Sequence, residues 1–334
     1  MIKKGRGVSS VYYPAGFNGG GDPDYVSLRV KADGSIDMTN ASCEMGQGFK
    51  GVAVQIAAEA LGISEKNIAL DNSNTDTCAF SMDTAASRST YIVGLAAIDA
   101  ANDLISKMKL FASGMLNCDV SELQYDKGRV FKTSDPDAGM TLAEIGGAAT
   151  YGGVFLMGTG GFRPPPGPPR DPETGATVPS RTTSWGATVA DVEVDDETGV
   201  VEVVNFYNCY DIGTVINPLS AEGQVEGGSI QGIGMALFEE LSPYWPESIE
   251  ILASNYTDYI IPTFMDMPKR SETRFYENYD PYGPFGAKGC GEMVTNTQPP
   301  AIVNAIYDAV GVFVDSLPAT PEKILKLLEE KKSR

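Results

Sequence analysis

Histidine is absent from all 334 residues. That absence excludes Ser-His-Asp and Cys-His catalysis, and any histidine-ligated zinc or haem site, within this chain. A general base has to be a carboxylate, lysine, tyrosine or cysteine. Cysteine pairs are lacking too. The five cysteines (Cys43, Cys78, Cys118, Cys209 and Cys290) are widely spaced, with no C-x-x-C. This leaves no iron–sulfur or zinc spacing, and reduced thiols in a cytoplasmic protein are expected. No apolar run approaches the ~18 residues of a membrane span. The opening "MIKKGRG" has charge but no apolar stretch behind it, so a signal peptide is not expected. Positive charge is scarce as well: 25 Lys and Arg face 44 Asp and Glu, a formal charge of −19. Such a surface repels phosphate backbones, and nucleic acid is not an expected partner.

What remains is a chain with 42% hydrophobic residues and 37 glycines, long enough for a large core and two domains. The expected fold class is α+β (mixed α/β), with domains over 1–165 and 166–334 that are free to interleave. "YVSLRV" (25–30) and "SIDMTN" (35–40) are strand candidates joined through Asp33-Gly34, a hairpin-type turn. Residues 49–61 carry helical apolar spacing at Val52, Val54, Ile56, Ala57 and Leu61, with Gly62 as a stop. Residues 91–111 predict a second, alanine-rich helix. Seven prolines within 162–180 exclude regular structure there and mark an exposed loop or domain junction. Alternating strands flank Glu197-Thr198-Gly199. Residues 220–240 are helical in pattern but hold five glycines after Glu222, which points to close packing. Thr320 and Pro321 open a C-terminal helix.

Four stretches could carry chemistry. "EMGQG" (44–48) places an amide between glycines at a helix start, where backbone N–H groups could hold phosphate or a carbonyl-rich ring; a tight turn capping the helix is the alternative that spacing alone favours. It matches neither G-x-G-x-x-G nor G-x-x-x-x-G-K-[ST]. "MDTAASRST" (82–90) offers Arg88 and hydroxyls to an anion, or is simply a helix start with a solvated arginine. "GQVEGG" (223–228) adds Gln224 and Glu226 on a helix whose glycines close packing also explains, whereas "DIGTVINP" (211–218) reads as a strand end and turn. In "YGPFGAKGCGEMVTN" (282–296), glycines at 286, 289 and 291 permit a tight path that could aim Glu292 inward. A buried glutamate with a raised pKa is a usable general base; an ordinary glycine-rich turn is the alternative.

Taken together, "CEMGQG", "TAASRST", "DIGTVINPLSAEGQVEGGSIQGIGMALFEE", "YTDYIIPTFMDMP", "GAKGCGE" and "PPAIVNAIYDAVGVFVDSLPATPEKIL" resemble the xanthine dehydrogenase and aldehyde oxidase family of molybdenum hydroxylases. The order and spacing of the six segments match the family, and the resemblance runs over nearly the whole chain. Only the latter part of the family's molybdenum-binding polypeptide is matched, so the chain resembles one subunit of a split enzyme. In length and division it is similar to the medium molybdopterin subunit of bacterial enzymes that oxidise nicotinate.

The resemblance implies the following roles. Gly46, Gln47 and Gly48 hold the molybdopterin cofactor. Ala86, Ser87 and Arg88 lie along its phosphates or nucleotide tail, Gln224 adds an amide, and Lys288 and Gly289 pass close to the pterin. Glu292 acts as base. The implied cofactor is molybdopterin cytosine dinucleotide with molybdenum held by the pterin dithiolene, bearing a terminal sulfido or selenido ligand, and with no metal ligand from the protein. The implied partners are a large molybdopterin subunit completing the active site, a 2Fe-2S iron–sulfur subunit and an FAD subunit, in a heteromer that could itself dimerise. The implied reaction is water-dependent hydroxylation of a nitrogen heterocycle, nicotinate to 6-hydroxynicotinate, with electrons passing to NADP. A purine, xanthine or aldehyde dehydrogenase of the same family is the alternative, and a noncatalytic assembly subunit is an alternative of another class. Tyr12, Tyr13 and Phe17 are candidate walls for a flat substrate or are core aromatics. Cys290 stands where relatives carry a small aliphatic residue, and packing accounts for it.

Overall fold

The computed structural model describes residues 1–17, 21–178, 180–241, 243 and 253–333. In chain order the first elements are β1 (Ile2–Pro14), β2 (Asp24–Val30), β3 (Ile36–Asn40), α1 (Phe49–Leu61), β4 (Ile68–Asn72) and α2 (Ser89–Leu116). Then come β5 (Leu123–Asp126), β6 (Arg129–Lys132), β7 (Asp135–Thr141), α3 (Leu142–Tyr151), β8 (Met157–Phe162), β9 (Thr183–Asp195) and β10 (Val201–Asp211). The last are α4 (Pro218–Leu237), β11 (Arg270–Phe275), α5 (Met293–Asn296), α6 (Gln298–Val310) and α7 (Pro321–Lys332). The described chain divides into two compact units, each discontinuous in sequence. Among the described residues no helix is long and apolar enough to cross a membrane.

The first unit comprises Met1–Tyr13, Ser184–Glu277 and Cys290–Arg334. Its sheet has the order β1-β9-β10-β11, with β9 and β10 antiparallel and β10 and β11 parallel. The β9–β10 connection is the turn read at 197–199. Alternate residues of these strands, Val192, Val194 and Phe206, face Ile233 and Leu237 of α4, Ile302 and Ile306 of α6, and Ile324 and Leu328 of α7. Pro321 opens α7 and the Thr320 side chain accepts from Lys323 N–H, as the sequence predicts. The close packing expected of the α4 glycines holds in part. Gly228 meets Val294 and Gly232 meets Gln298, whereas Gly223 and Gly227 have open space beside them.

The second unit comprises Pro14–Thr183 and Asn278–Gly289. Its main sheet runs β4-β3-β2-β8, and β5-β6-β7 form a separate three-stranded sheet. β2 and β3 pair antiparallel through the Asp33-Gly34 turn; Gly34 has φ +84° and the Asp33 carboxylate accepts from Ser35 N–H. α1 occupies the residues predicted for it and ends on left-handed Gly62. α2 outruns the predicted 91–111 and ends at Asn117 in the left-handed region. Its buried Ala96 and Ala100 lie against β8, where Gly158 and Gly160 leave no room for a side chain. An alanine face on a glycine strand lets helix and sheet backbones approach closely. The described part of the proline-rich stretch beyond Phe162 is irregular, as expected; Pro179 lies outside the described residues.

Candidate functional site

The "EMGQG" stretch forms a turn between β3 and α1. Gly46 and Gly48 adopt φ +102° and +84°. The backbone N–H groups of Met45, Gly46, Gly48 and Lys50 are already used. Glu44 accepts from Gly46 N (2.8 Å) and Gly48 N (3.1 Å) through Oε1, and from Lys50 N (2.9 Å) through Oε2. The chain thus places its own anion at the start of α1. Burial pushes the Glu44 carboxyl upward, but the Lys50, Gly46 and Gly48 N–H groups outweigh it and hold the pKa below the usual range. Gln47 closes the turn on itself: its Oε1 accepts from Met45 N (2.6 Å) and its Nε2 donates to Cys43 O (2.9 Å). An amide nitrogen carries two hydrogens, so one N–H of Gln47 is not used by the turn.

The 82–90 stretch leads into α2 with two non-glycine residues in the left-handed region, Ala86 (φ +50°) and Ser87 (φ +49°). Such conformations cost about 1–2 kcal/mol each and persist only where neighbours enforce them. Gly16 N donates to Ala86 O at 2.9 Å. Gly289 lies against Ser87 O so tightly that no side chain fits.

Arg88 departs from both readings of its sequence context. It is neither solvated nor turned toward an outside anion: it is completely buried. Its Nε donates to Asp22 Oδ2 (3.3 Å), and Nη1 donates to Asp24 Oδ2 (3.0 Å) and Asp83 O (3.3 Å). Nη2 donates to Asp22 O (3.1 Å) and Pro23 O (3.2 Å). The guanidinium is consumed inside the protein. That leaves no guanidinium donor for the cofactor phosphates along which the sequence reading places Arg88.

Lys288 and Gly289 end the second unit, and Lys288 is buried. They follow a tight path in which Phe285 (φ +50°) and Gly286 (φ +83°) are both left-handed, with Gly286 N donating to Gly283 O at 3.1 Å. Phe17 lies in this unit, its N–H donating to Asp22 Oδ2 at 3.2 Å.

The remaining candidates belong to the first unit. Glu292 immediately precedes α5 and is exposed, so this chain alone does not bury it as the sequence reading expects. Gln224 is half-buried on α4. Cys290 packs with Tyr210, Ile212, Val225, Met293 and Val294; burial pushes its thiol up to about 12, which agrees with a packing role. Tyr12 and Tyr13 are neighbours on β1 and so point to opposite faces. Tyr13 joins the Tyr210 cluster, while Tyr12 is exposed and tilts against Trp185 at a centroid distance of 4.9 Å. The two cannot both line one pocket.

A family model described as molybdopterin cofactor-binding domain matches residues 1–268. The chain belongs to the molybdopterin-binding molybdenum hydroxylase family. It is 33% identical over 301 residues to the 6-hydroxypseudooxynicotine dehydrogenase complex subunit gamma of Paenarthrobacter nicotinovorans, covering 89% of this chain and 36% of that one. It is 30% identical to a putative xanthine dehydrogenase molybdenum-binding subunit of Escherichia coli, covering 97% of this chain and 42% of that one. Among solved structures, quinoline 2-oxidoreductase from Pseudomonas putida 86 superposes with a TM-score of 0.83 at 28% identity, over 98% of this chain and 42% of that one. The mixed α/β, multi-sheet fold is that of the molybdenum hydroxylases. The chain spans only about two fifths of the length of these relatives.

The residues present fit a molybdopterin group. Open space flanks Gly46, so a flat ring system could lie against the turn where a side chain would otherwise project. Gln47 keeps an amide N–H, and Ala86-Ser87 hold an uncommon backbone shape beside buried Lys288 and Gly289. Sequence reasoning missed Asp24, Ser42 and Ser81, and it read Thr84 as an anion-binding hydroxyl, whereas these four residues tie the loops together. Asp24 reads as an ordinary strand-start acid; its complete burial, visible only in the fold, is the signal.

Proposed function

We propose that this chain is one subunit of a split molybdenum hydroxylase that oxidises a flat, electron-poor carbon with oxygen from water. The family match over residues 1–268 carries this reading. Similar proteins bear names that refer to nicotine, xanthine, hypoxanthine, aldehyde, quinoline and carbon monoxide. That spread supports a purine, N-heterocycle or aldehyde hydroxylase more than nicotinate specifically. Similar proteins are named as subunits or chains of larger enzymes, which supports partner polypeptides, taken here as a large molybdopterin subunit with 2Fe-2S and FAD subunits carrying electrons onward.

When bound, molybdenum in its pterin, taken here as the cytosine dinucleotide form, supplies two-electron oxidation and the activation of water. Gln47 donates its remaining amide N–H to the cofactor, and Gly46 leaves room for the ring. Ala86 and Ser87 present backbone to the anionic tail, and Lys288 adds a buried positive charge. Gln224 contributes a second amide. Glu292 would take up, at its carboxylate, the proton lost by the activated water. Because Glu292 is exposed on this chain, exclusion of water around it falls to substrate and to the partner polypeptide.

Metal and pterin analysis of the complex that copurifies with this chain tests the reading. Molybdenum and a pterin nucleotide at about one per chain support it. Their absence after assembly under cofactor-replete conditions would return the chain to a noncatalytic assembly role. Glu292→Gln is expected to keep the cofactor and lose about 10²–10⁴-fold in turnover, the usual contribution of a general base. Near-normal turnover in the fully metallated variant would remove Glu292 from the role.

A further inference from the structure

Within the second unit, the loops that carry Gln47 and Ala86-Ser87 are separated by some forty residues yet share buried polar partners. Asp24, at the start of β2, is completely buried. Its Oδ2 accepts from Arg88 Nη1 (3.0 Å), Ser81 Oγ (2.7 Å) and Ser42 Oγ (3.3 Å). Its Oδ1 accepts from Asn40 Nδ2 and Tyr25 N, both at 2.9 Å. Ser42 and Ser81 also meet each other at 3.0 Å. One step further out, Cys43 N donates to Thr84 Oγ1 (3.0 Å), which donates back to Cys43 O (3.2 Å). That same Cys43 carbonyl accepts from Gln47 Nε2. One carboxylate is therefore hydrogen-bonded to the root of each loop, and a second bridge joins the loops nearer their tips.

This arrangement explains two otherwise costly features. A buried carboxylate is tolerable only when its lone pairs are filled and a countercharge is at hand; Arg88 and four neutral donors supply both. The left-handed Ala86-Ser87 pair immediately precedes Arg88, whose donors fix the chain at Asp22, Pro23 and Asp83. The strained backbone thus stands directly on the clamped residue. We propose that Asp24, through Arg88 and the Ser42–Ser81 pair, is a positioning residue that sets the spacing between the Gln47 turn and the Ala86-Ser87 turn for the pterin nucleotide they hold. The last clause rests on the cofactor reading above. Arg88 links Asp24 to the Ala86-Ser87 turn, and its donors are all used within the protein.

The test uses two variants that leave the Asp24–Arg88 ion pair intact, since Asp24→Ala or Arg88→Ala could fail to fold. Ser81→Ala removes one donor to Asp24 from the second loop, and Thr84→Val removes the bridge to Cys43. Hydrogen exchange is followed by mass spectrometry on peptides covering 41–51 and 80–92, and retention of pterin nucleotide is followed in the assembled complex. Each variant is expected to raise exchange in both peptides, although both substitutions lie in only one. The double variant should release pterin at least 10-fold faster than wild type. Faster exchange confined to 80–92 would overturn the coupling, because a purely local role loosens only its own loop. Wild-type pterin retention with both loops loosened would overturn the positioning role. A wild-type complex that never holds pterin would instead defeat the cofactor reading, and the exchange result would separate that failure from the other two.

Discussion

Gly289→Ala probes the backbone contact that holds the Ser87 turn. A Cβ at this position would lie 2.9 Å from the Ser87 carbonyl carbon and from Ser87 Cβ, and closer still to the carbonyl oxygen. Ordinary contact for a Cβ begins near 3.4 Å, so the carbon contacts alone call for about 0.5 Å of separation, and the nearer carbonyl oxygen for more than twice that. The obstructing atoms are backbone and the stub of a short side chain, so no flexible tip can swing aside. Overpacking of this kind costs about 1–3 kcal/mol. At about 2–4 °C per kcal/mol for a unit of this size, the thermal midpoint should fall by ~2–12 °C in scanning calorimetry. Gly46→Ala is the control: φ is +102° there but the space beside it is open, so only the backbone cost of about 1–2 kcal/mol applies. The two variants should differ in where hydrogen exchange rises most, over 80–92 for Gly289→Ala and over 41–51 for Gly46→Ala. An unchanged midpoint and unchanged exchange at 80–92 in Gly289→Ala would refute the claim that this contact enforces the turn.

Tyr210→Phe removes a buried hydroxyl that meets Thr297 Oγ1 at 2.6 Å and both Gln298 Nε2 and Thr188 Oγ1 at 3.2 Å. It should lower stability to urea by about 1–3 kcal/mol, and Thr297→Val combined with it should cost less than the sum of the two; strict additivity would show that the groups do not act as a network. Iodoacetamide at neutral pH should label exposed Cys43 and Cys209 and spare Cys290, whose thiol burial raises to about 12; equal labelling rates would contradict that burial. Glu44 has a lowered pKa in the folded chain, so its hold on the turn is present above the ordinary carboxyl pKa and is lost as pH falls through the lowered one. The Gly46 and Gly48 amide resonances should be constant near neutrality and move together in acid; invariance of both through the acid range would show that Glu44 does not anchor them.

Local chemistry was legible wherever a residue's role depends on its immediate neighbours. Gly62 stops α1 and Thr320-Pro321 starts α7 because caps act within one turn of backbone. Asp33-Gly34 makes the β2–β3 turn for the same reason. β1 was not legible as a strand: "IKKGRGVSSVYYP" mixes lysine, arginine and glycine, and only the fold shows Gly5 and Gly7 lying flat against α6. Pairing with β9, nearly two hundred residues away, supplies what its propensity lacks.

The site shows the same boundary more sharply. "EMGQG" is recognisable because only glycine takes its positive φ without cost, and "GAKGCGE" because Gly289 records a close approach. Arg88 was misjudged because an arginine ahead of a helix looks the same whether it faces solvent or a buried carboxylate. The difference lies with Asp22 and Asp24, more than sixty residues upstream. Once buried, those acids change what the motif can do: a guanidinium filled by two carboxylates and main-chain carbonyls has nothing left for a phosphate. An Arg88→Lys chain, with three donors on a flexible stem in place of a planar fork, should fail in loop order before it fails in charge.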